Sequence, residues 1–464
     1  MTITLQNTEK GQCYAVKFDR YRQQVVDKLK SSVSIRWWDK QTGAWLIPAT
    51  NKCKAELDQL TYYVRHFEPV QWGTVAQLQT EEDVAFQIPE MPELDGDHGL
   101  KVQPYPYQLQ GIARGLQLKR FINGDDMGLG KSLESIATIN KADAFPCLVI
   151  CPNVVKINWQ REWHKFTDKK AMVLTDSVRD SWPFFWQTGM NQVFIVNYES
   201  LRKYFVRRIT KAEKWTLKDV EFHNTIKLFK SVIIDESHKV KSTATQQTKF
   251  CKGIASGKEY IILLTGTPVV NKPKDLVAQL GIMDRMIDMG GWKGFMLRYC
   301  SGPNQASNLK ELNYRLWKHC FFRREKSKVL TQLPDKVRQI VSCEITNRKE
   351  YMDAERDLID YLKRYKEADD EKIQKSLKGE VMVRIGILKD ITARGKLKEV
   401  IDFVKDFREN GKKIILFCNL HEIVDRLMIA FPSAVCVTGR QNMQEKQASV
   451  DAFQKNPKTD VIIC

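Results

Sequence analysis

A glycine-rich stretch, Gly124-Asp-Asp-Met-Gly-Leu-Gly-Lys-Ser132, carries the residue types that a phosphate-binding loop needs. Its glycines let backbone N–H groups approach phosphate closely, and its lysine supplies positive charge for the β- and γ-phosphates. Ser132 supplies a hydroxyl for Mg²⁺. The strict phosphate-loop pattern has glycine where this chain has Asp125, which argues against a generic kinase or GTPase loop. The alternative is a chance glycine turn before a helix.

Paired carboxylates follow about a hundred residues later, in Ser231-Val-Ile-Ile-Asp-Glu-Ser-His238. The apolar residues predict a buried parallel strand, whose carboxyl end brings the two acids beside the phosphate loop. There Asp235 can hold Mg²⁺ and Glu236 can polarise the attacking water. Either element alone is compatible with chance, but the two in this order are a strong ATPase signature. The predicted cofactors are ATP and Mg²⁺, with Ser132 and Asp235 as metal ligands.

A third stretch, Ile261-Ile-Leu-Leu-Thr-Gly-Thr-Pro-Val-Val-Asn271, places two threonines around Gly266 at the end of another predicted strand. Thr265 and Thr267 suit a polar relay that leads away from the hydrolysis site. A simple Thr-Gly turn is the alternative, and in isolation this stretch favours the turn.

The elements that must position these motifs are short apolar runs alternating with longer helical patterns between residues 104 and 335. Apolar strands without polar alternation predict a parallel sheet covered by helices on both faces. Shorter runs near residues 413–418, 434–438 and 460–464 predict the start of a second α/β unit. Trp159 and Trp163, four residues apart, are expected to pack on one helical face.

Residues 1–95 predict a small module with an amphipathic helix near residues 21–29 and a β-hairpin over residues 35–48. The hairpin consists of two aromatic-rich runs joined by a polar turn at Gly43. Residues 87–106, with four prolines and two glycines among acidic residues, are typical of a linker.

Composition restricts the class of protein. The 464 residues contain 74 Lys and Arg against 56 Asp and Glu, a net charge of +18 that favours a polyanionic partner. The eleven cysteines form no C-x-x-C pair, no apolar run reaches the ~20 residues of a membrane span, and the first residues lack a signal-peptide pattern. These features indicate a reduced intracellular protein without a membrane segment.

Three motifs together closely resemble those of the Swi/Snf family of DNA-dependent ATPases within superfamily two: Asp125-Asp-Met-Gly-Leu-Gly-Lys-Ser132, Asp235-Glu-Ser-His238 and Leu264-Thr-Gly-Thr-Pro268. Further matches occur in the family's order: Pro106-Tyr-Gln-Leu-Gln-Gly111, Cys147-Leu-Val-Ile-Cys-Pro-Asn-Val-Val-Lys-Ile-Asn-Trp159, Ile195-Val-Asn-Tyr-Glu-Ser200, Phe321-Phe-Arg-Arg-Glu-Lys-Ser-Lys-Val-Leu330, Leu333-Pro-Asp-Lys336, Val437-Thr-Gly439 and Phe453-Gln454. The resemblance covers about residues 104–464.

The N-terminal module resembles the HARP module found beside this motor in annealing helicases, on Val16-Lys-Phe-Asp19, Arg36-Trp-Trp-Asp39, Gly43, Trp45 and Pro48. Its tryptophans with Arg36 suit base stacking or a grip on a fork junction. An aromatic core for a small domain is the alternative for the tryptophans, and Arg36 is the better candidate for a DNA contact.

The resemblance implies an α/β fold with two RecA-like parallel-sheet lobes, the second incomplete, and a small α+β N-terminal module. The predicted domains are residues 1–95, a HARP-like DNA-structure-binding module; 96–340, the first lobe; 341–396, a helical connecting segment; and 397–464, the start of the second lobe.

The implied activity is that of an ATP-dependent double-stranded-DNA translocase that remodels or reanneals branched DNA, as in replication-fork repair. The catalytic candidates are Glu236, Asp235 and Lys131. The ATP-binding candidates are Gln108, Asp126, Met127, Gly128, Leu129, Gly130, Lys131 and Ser132. The candidates for coupling ATP to DNA are His238, Thr265, Gly266 and Thr267, and those for DNA contact are Arg36, Asn153, Asn158, Asn197 and Tyr198.

In the family, the second lobe continues past the strand that Asp460-Val-Ile-Ile-Cys464 resembles, into a glycine-rich turn and a helix whose arginines reach the γ-phosphate. We therefore expect the sequence to be truncated, or completed by another polypeptide, and to bind nucleotide better than it hydrolyses it. An arginine finger contributes a factor of about 10³–10⁵ in rate. The alternative function is accordingly an ATP-dependent DNA-binding module with little hydrolysis.

Two further classes of motor stay open on sequence grounds. An RNA helicase is disfavoured by the Asp-Glu-Ser-His form and the Asp-Met-Gly-Leu-Gly-Lys loop. A nucleosome remodeller is disfavoured because the chain shows neither a lysine-binding aromatic module nor a long basic nuclear-targeting run, so a bacterial or viral setting is favoured. Double-stranded or forked DNA is the predicted partner, with no membrane, and the sequence identifies no protein partner.

Overall fold

The computed structural model describes residues 1–8, 11–40, 42–72, 86–269, 272–300, 306–334, 336–356 and 380–464. Val270 and Asn271, which end the third motif, and residues 357–379 of the predicted helical connection lie outside the described residues. The chain forms two compact units, Met1–Leu333 and Pro334–Cys464.

The first unit opens with a five-stranded sheet whose order is β3-β4-β2-β1-β5, antiparallel except for the β1–β5 pair. Its strands are β1 (Thr2–Thr8), β2 (Gly11–Lys17), β3 (Trp37–Asp39), β4 (Ala44–Pro48) and β5 (Gln71–Trp72), and its helices are α1 (Gln23–Ser32) and α2 (Asn51–Val64). The expected amphipathic helix is α1, which buries Val25, Val26 and Leu29. The expected hairpin is β3–β4, with Trp38 opposite Trp45.

The hairpin tryptophans have different surroundings. Trp38 is 49% exposed, and its ring meets Trp45 edge to face at 5.4 Å. Trp37 is half-buried and lines a cavity of about 310 Å³ with Arg298 and Leu297, so it faces the rest of the first unit. Of these three rings, Trp38 is the one that the fold leaves for an external partner.

A seven-stranded parallel sheet forms the centre of the first unit, in the order β14-β6-β13-β12-β7-β9-β8. The strands of the first unit from residue 120 onward are β6 (Arg120–Asn123), β7 (Cys147–Cys151), β8 (Ala171–Val173), β9 (Val193–Asn197), β10 (Val206–Ile209), β11 (Val220–Phe222), β12 (Ser231–Asp235), β13 (Tyr260–Leu264) and β14 (Phe321–Phe322). Strands β10 and β11 form a separate antiparallel hairpin.

Helices cover both faces of this parallel sheet, as the uninterrupted apolar strands predict. They are α3 (Pro106–Leu118), α4 (Lys131–Lys141), α5 (Lys156–Phe166), α6 (Trp182–Gln187), α7 (Leu201–Phe205), α8 (Gln246–Ala255), α9 (Asp275–Ile282), α10 (Gly291–Tyr299), α11 (Leu309–His319) and α12 (Lys326–Val329). Short 3₁₀ helices are Asn153–Val155, Tyr198–Ser200, Leu217–Asp219, Asn224–Leu228, Ser237–Val240 and Ile287–Met289. Alternate residues of each central strand enter one of two apolar cores, one on each face.

The carboxyl ends of the parallel strands lie at one edge of the sheet, where ligands bind in open α/β folds. The phosphate loop follows β6, and the paired acids end β12. The segments after β7, β9 and β13 carry the other predicted motifs. This α/β arrangement is the RecA-like lobe expected from the sequence.

The second unit has its own three-stranded parallel sheet, in the order β15-β17-β16. Its elements are α13 (Arg348–Arg356), α14 (Glu380–Glu409), β15 (Ile414–Leu416), α15 (His421–Ala430), β16 (Val435–Cys436), α16 (Met443–Lys455) and β17 (Val461–Ile463). Its core includes Val404, Leu427, Phe431 and Val461. Within the part of the chain that the structure describes, no helix is long and apolar enough to cross a membrane. The domain boundaries at residues 95, 340 and 396 stay predictions.

Candidate functional site

Residues 124–130 form the loop between β6 and α4. Gly128 and Gly130 have φ values of 88° and 87°, in the left-handed region where glycine alone is unstrained. A Cβ atom on Gly130 would lie 2.3 Å from the Gln108 amide nitrogen, so a side chain there would displace Gln108 from its position beside the loop. These glycines expose backbone N–H groups, which fits a phosphate-binding cradle.

Lys131 reaches back into this loop. Its ammonium group donates to the backbone carbonyls of Asp125 at 2.7 Å and Asp126 at 3.2 Å. Burial lowers the pKa of Lys131, and the carboxylates of Asp125, Glu236 and Asp235 oppose that shift. The ammonium group bonds neutral carbonyls here. Phosphate oxygens are stronger acceptors because they are charged, so Lys131 is suited to bind phosphate.

Gln108 lies on α3 and braces the loop from outside. Its side-chain nitrogen donates to the Leu129 carbonyl at 3.1 Å, and its side-chain oxygen accepts from the Tyr105 backbone N–H at 2.9 Å. Leu129 is fully buried, whereas Met127 is 77% exposed. Both polar atoms of the Gln108 side chain therefore have partners within the protein, and its contact with adenine stays a prediction.

A buried ion network under the loop explains the departure from the phosphate-loop pattern. Asp125 is 0% exposed and pairs with the Arg324 guanidinium, which also donates to Glu134 at 2.6 and 2.8 Å. Asn123 donates to the same Glu134 carboxylate at 2.8 Å. Burial raises the pKa of Asp125, and it raises that of Glu134 well above the usual range. Asp125 therefore anchors the loop through Arg324, a partner that the sequence motif did not identify.

A strap, which we define as residues 320–326, runs beside β6 and along the loop. Backbone N–H groups of Ile122, Gly124 and Asp126 donate to successive alternate carbonyls of the strap at 2.9, 2.9 and 3.1 Å. The Asp126 carboxylate accepts from the Lys326 backbone N–H at 3.0 Å, which lowers its pKa, and pairs with Arg323 at 3.0 Å. Asp126, an ATP-binding candidate, thus has its carboxylate bound to the strap.

The paired acids lie where β12 ends. The Asp235 carboxylate accepts from the indole N–H of Trp159 at 2.9 Å and from the Glu236 backbone N–H at 2.9 Å. Burial raises the pKa of Asp235. Glu236 has φ 52° and ψ 49°, an unusual conformation for a residue other than glycine, and such strain is commonly found at functional sites. Trp159 was expected only to pack, yet it also orients the predicted metal ligand.

Helix α5 brings a further carboxylate into the site. Burial raises the pKa of Glu162, and hydrogen bonds with Asn158 and Ser132 lower it in part. One oxygen of Glu162 is buried without a hydrogen-bond partner among the described residues. Hydroxyl and carboxylate oxygens are the ligands that Mg²⁺ prefers, so Ser132, Asp235 and this neighbouring acid fit the expected metal.

The coupling candidates form a chain of contacts beside the acids. His238 Nδ1 lies 3.2 Å from a Glu236 carboxylate oxygen and 3.3 Å from the Thr265 hydroxyl. The Thr267 backbone N–H donates to the Thr265 hydroxyl at 3.1 Å, across Gly266. The structure thus brings these predicted residues together, and their coupling role stays a prediction.

Gln279, on α9, ties the second and third motifs together and was missed at the sequence level. Its side-chain oxygen accepts from the Ser237 hydroxyl at 2.9 Å, and its nitrogen donates to the Pro268 carbonyl at 2.9 Å. The side chain is fully buried. No periodicity or spacing connects residue 279 with either motif, so only the fold could reveal it.

The DNA-contact candidates fall into two groups. Asn153 and Asn158 are exposed after β7, and Asn158 also donates to Glu162 at 3.0 Å. Asn197 is buried, donates to Glu199 at 2.8 Å and accepts from Lys156 and Ser200, while Tyr198 is 1% exposed and its hydroxyl donates to the Asp235 carbonyl. The side chains of this second group are bound within the protein.

In the N-terminal module, Arg36 is half-buried and donates to the Val33 carbonyl. A contact of Arg36 with DNA stays a prediction.

A family model described as SNF2-related domain matches residues 107–399. A Caenorhabditis elegans homolog of SWI/SNF-related matrix-associated actin-dependent regulator of chromatin subfamily A-like protein 1 is 27% identical over 345 residues, which cover 71% of this chain and 46% of that protein. The Xenopus tropicalis protein of that name is 23% identical over 98% of this chain and 48% of its own length. The Homo sapiens DNA annealing helicase and endonuclease ZRANB3 is 26% identical over 78% of this chain and 34% of its length.

The chain spans about half the length of the first two of these relatives. The Sulfolobus solfataricus SWI2/SNF2 ATPase core in complex with dsDNA is similar at 22% identity and a TM-score of 0.43, over 80% of each chain. The three curated relatives are animal proteins, and they give no support to the expected bacterial or viral setting.

Proposed function

Because this chain belongs to the SNF2-related family, we propose that it is an ATP-dependent double-stranded-DNA translocase that remodels or reanneals branched DNA, as in replication-fork repair. The names of its relatives, which include a DNA annealing helicase, support this proposal.

One observation carries the proposal. Asp235, the predicted metal ligand, is held by two segments that resemble the family's DNA-contacting motifs. Trp159, from the segment after β7, donates to its carboxylate, and Tyr198, from the segment after β9, donates to its backbone carbonyl. These two hydrogen bonds link both segments to Asp235, which supports coupling between DNA contact and the nucleotide site.

Nucleotide binding is assigned to the phosphate loop and the residues around it. Backbone N–H groups of the loop and the Lys131 ammonium group would hold the phosphates. Ser132 and Asp235 would hold Mg²⁺, which neutralises charge on the phosphate oxygens when it is bound. Glu236 is the general base that orients and polarises the attacking water, and its carboxylate lies 3.2 Å from His238.

Coupling is assigned to the contacts between the second and third motifs. His238 lies between Glu236 and Thr265, so a change at the base is transmitted to the segment that follows β13. Gln279 keeps both segments at a fixed separation through its two hydrogen bonds. Together these contacts give a route from ATP hydrolysis to the grip on DNA.

The N-terminal module is assigned the recognition of branched DNA. Trp38 is exposed on the hairpin, where its face can stack on an unpaired base at a junction. This assignment is compatible with a structural role for the other hairpin rings, which pack within the module or against the rest of the unit.

Steady-state ATPase assays test the proposal directly. The protein is measured without nucleic acid and with single-stranded DNA, duplex DNA, forked DNA and RNA, and the Glu236→Gln variant serves as the control for contaminating activity. The translocase proposal requires duplex or forked DNA to stimulate turnover in the native protein and not in the Glu236→Gln variant. A triplex-displacement assay on duplex DNA then separates translocation from hydrolysis alone.

The outcomes discriminate between classes of protein. Stimulation by RNA alone contradicts the DNA assignment and favours an RNA helicase. ATP binding without turnover on any nucleic acid contradicts the motor and favours an ATP-dependent DNA-binding module. Hydrolysis without triplex displacement contradicts translocation.

A further inference from the structure

A basic groove of about 420 Å³ lies on the first unit beside the predicted DNA-contacting segment after β9. We define it by its lining residues, Glu199, Arg202, Lys203, Val206, Arg207, Arg208 and Ile209. Four of these carry positive charge and one carries negative charge. The groove is therefore suited to an anion.

Two of the four cations are held by neighbouring acids. Lys203 pairs with Asp176 at 2.7 Å, and Arg208 forms a two-pronged pair with Glu221 through bonds of 2.8 and 2.8 Å. The other two, Arg202 and Arg207, are exposed. Within the described residues, neither of them has an ion pair or a hydrogen bond from its side chain. The charge of Arg207 also acts on Glu221 without an ion pair, so both guanidinium groups keep their hydrogen-bond donors for a ligand.

The local backbone explains how neighbouring arginines reach the surface together. The β10–β11 register shifts between Val206 and Arg208, so Arg207 is the extra residue of a β-bulge. Bulges redirect a side chain that would otherwise alternate to the opposite face. Arg207 and Arg208 are both exposed, while Val206 and Ile209 on either side are half-buried.

The hairpin that carries these arginines is firmly seated. Trp215, from the loop between its strands, stacks on Phe250 of α8 at 5.6 Å, and Lys249 donates to the Trp215 carbonyl at 2.8 Å. The ring of Phe222 lies against Gly253 so closely that a Cβ atom there would come within 2.3 Å of it. Arg207 therefore projects from a fixed platform, which lowers the entropy lost when it binds a ligand.

One short segment, residues 197–199, connects the groove with the nucleotide site. Glu199 lines the groove and accepts from Asn197, and Tyr198 between them donates to the Asp235 carbonyl. The segment that carries the lining residue Glu199 thus also contacts the backbone of the predicted metal ligand Asp235.

We propose that the basic groove binds backbone phosphates of duplex DNA through Arg202 and Arg207. The inference rests on the proposed function and adds a binding site to it. Guanidinium groups bind phosphodiester oxygens with two parallel hydrogen bonds. The lining residues include no aromatic ring, and stacking on aromatic rings is the usual way in which proteins hold unpaired bases. The groove is therefore expected to bind the charged backbone and not the bases.

The salt dependence of DNA binding tests this site. The logarithm of the affinity for duplex DNA falls with the logarithm of salt concentration by about 0.9 for each phosphate contacted. An Arg202→Gln/Arg207→Gln double variant should therefore lower that slope by about 1.8, which follows from two contacts. Between 50 and 200 mM salt, the native protein should lose about tenfold more affinity than this variant. Fluorescence anisotropy with a labelled 30-base-pair duplex measures both quantities.

A matched control removes two charges from the opposite edge of the sheet. Lys170 and Lys230 are exposed and directly precede β8 and β12, at the amino ends of parallel strands. A Lys170→Gln/Lys230→Gln double variant has the same net charge as the groove variant and should keep the native salt slope. Thermal melting of both variants checks that these surface changes leave the fold intact.

The two proposals fail in different ways. If the native protein binds no nucleic acid at 50 mM salt, both proposals are overturned. If it binds duplex DNA and the groove and control variants have equal slopes, the groove proposal alone is overturned. An RNA duplex of the same length is the second arm: equal loss on both duplexes supports a phosphodiester site, whereas a loss confined to RNA overturns the DNA assignment.

Discussion

Replacing Arg324 with methionine tests the ion network that anchors the phosphate loop. Methionine keeps an unbranched, flexible side chain and removes the guanidinium group that pairs with Asp125 and Glu134. The two carboxyls are 0% and 2% exposed, so water cannot replace the lost cation. Two buried acids would then share the site without a positive charge between them.

The expected loss in the free energy of unfolding follows from the burial of this ion network. Removing one partner of a buried ion pair costs about 3–5 kcal/mol, because the remaining charge stays buried and unpaired. Arg323, the adjacent residue, pairs with Asp126 at 3.0 Å, but its side chain is 43% exposed. Exposed pairs contribute only about 0.2–1 kcal/mol, so an Arg323→Met variant is the matched control.

Urea unfolding followed by tryptophan fluorescence measures the difference. All eleven tryptophans of the chain lie at or before Trp317, so the signal reports the first unit and not the second. We expect Arg324→Met to lower the free energy of unfolding by at least about 3 kcal/mol and Arg323→Met by at most about 1 kcal/mol.

The loss of stability in Arg324→Met should depend on pH in a defined direction. Burial raises the pKa of Asp125 and of Glu134 in the folded protein. The stability contributed by such a group is present below its ordinary pKa and is lost as pH rises through the raised folded value. Removing the guanidinium group raises both values further, so the deficit of Arg324→Met should be larger at pH 8 than at pH 5.5. Equal unfolding midpoints for the Arg324 and Arg323 variants, or a deficit independent of pH, would refute this reasoning.

Other predictions concern the site and the N-terminal module. Trp159→Phe removes the donor to Asp235 and should lower kcat about tenfold, a loss of about 1.4 kcal/mol, in a DNA-stimulated ATPase assay. Trp163→Phe should leave kcat within about twofold, because the Trp163 indole nitrogen has no hydrogen-bond partner among the described residues. Gly130→Ala forces a Cβ atom into a left-handed, filled position and should weaken binding of a fluorescent ATP analogue at least about tenfold, as measured by titration. Trp38→Ala should reduce the preference for forked over plain duplex DNA without changing ATP affinity, and an unchanged preference would contradict a role in branch recognition.

The sequence predicts the central sheet and the position of the motifs well, for a physical reason. A parallel strand buried on both faces needs a continuous apolar run, and such a run is visible without any knowledge of the fold. The polar residues that follow each run then lie at one edge of the sheet. The loop at residues 124–130 and the acids Asp235 and Glu236 follow this rule.

The contacts that orient those motifs could not be predicted in the same way. Arg324 reaches Asp125 across 199 residues, and no periodicity relates two positions so far apart. Trp159 has the spacing of a packing residue and in fact packs, so nothing in the sequence reveals its hydrogen bond to Asp235. Tyr198 lies in a segment that resembles a DNA-contacting motif, yet the structure buries its side chain. Long-range partners of this kind become visible only when the chain is folded.

Because the strap follows the phosphate loop in the chain, the loop is synthesised long before its partner. The loop at residues 124–130 leaves the ribosome well before the strap residue Arg324, which is 199 residues later than Asp125. At about 5–20 residues per second, this separation corresponds to about 10–40 s of synthesis. During that interval the acids under the loop have no arginine, and the strand edge beside β6 has no neighbour at β14. We expect the nascent chain to gain affinity for nucleotide late, when this last strand of the lobe is added.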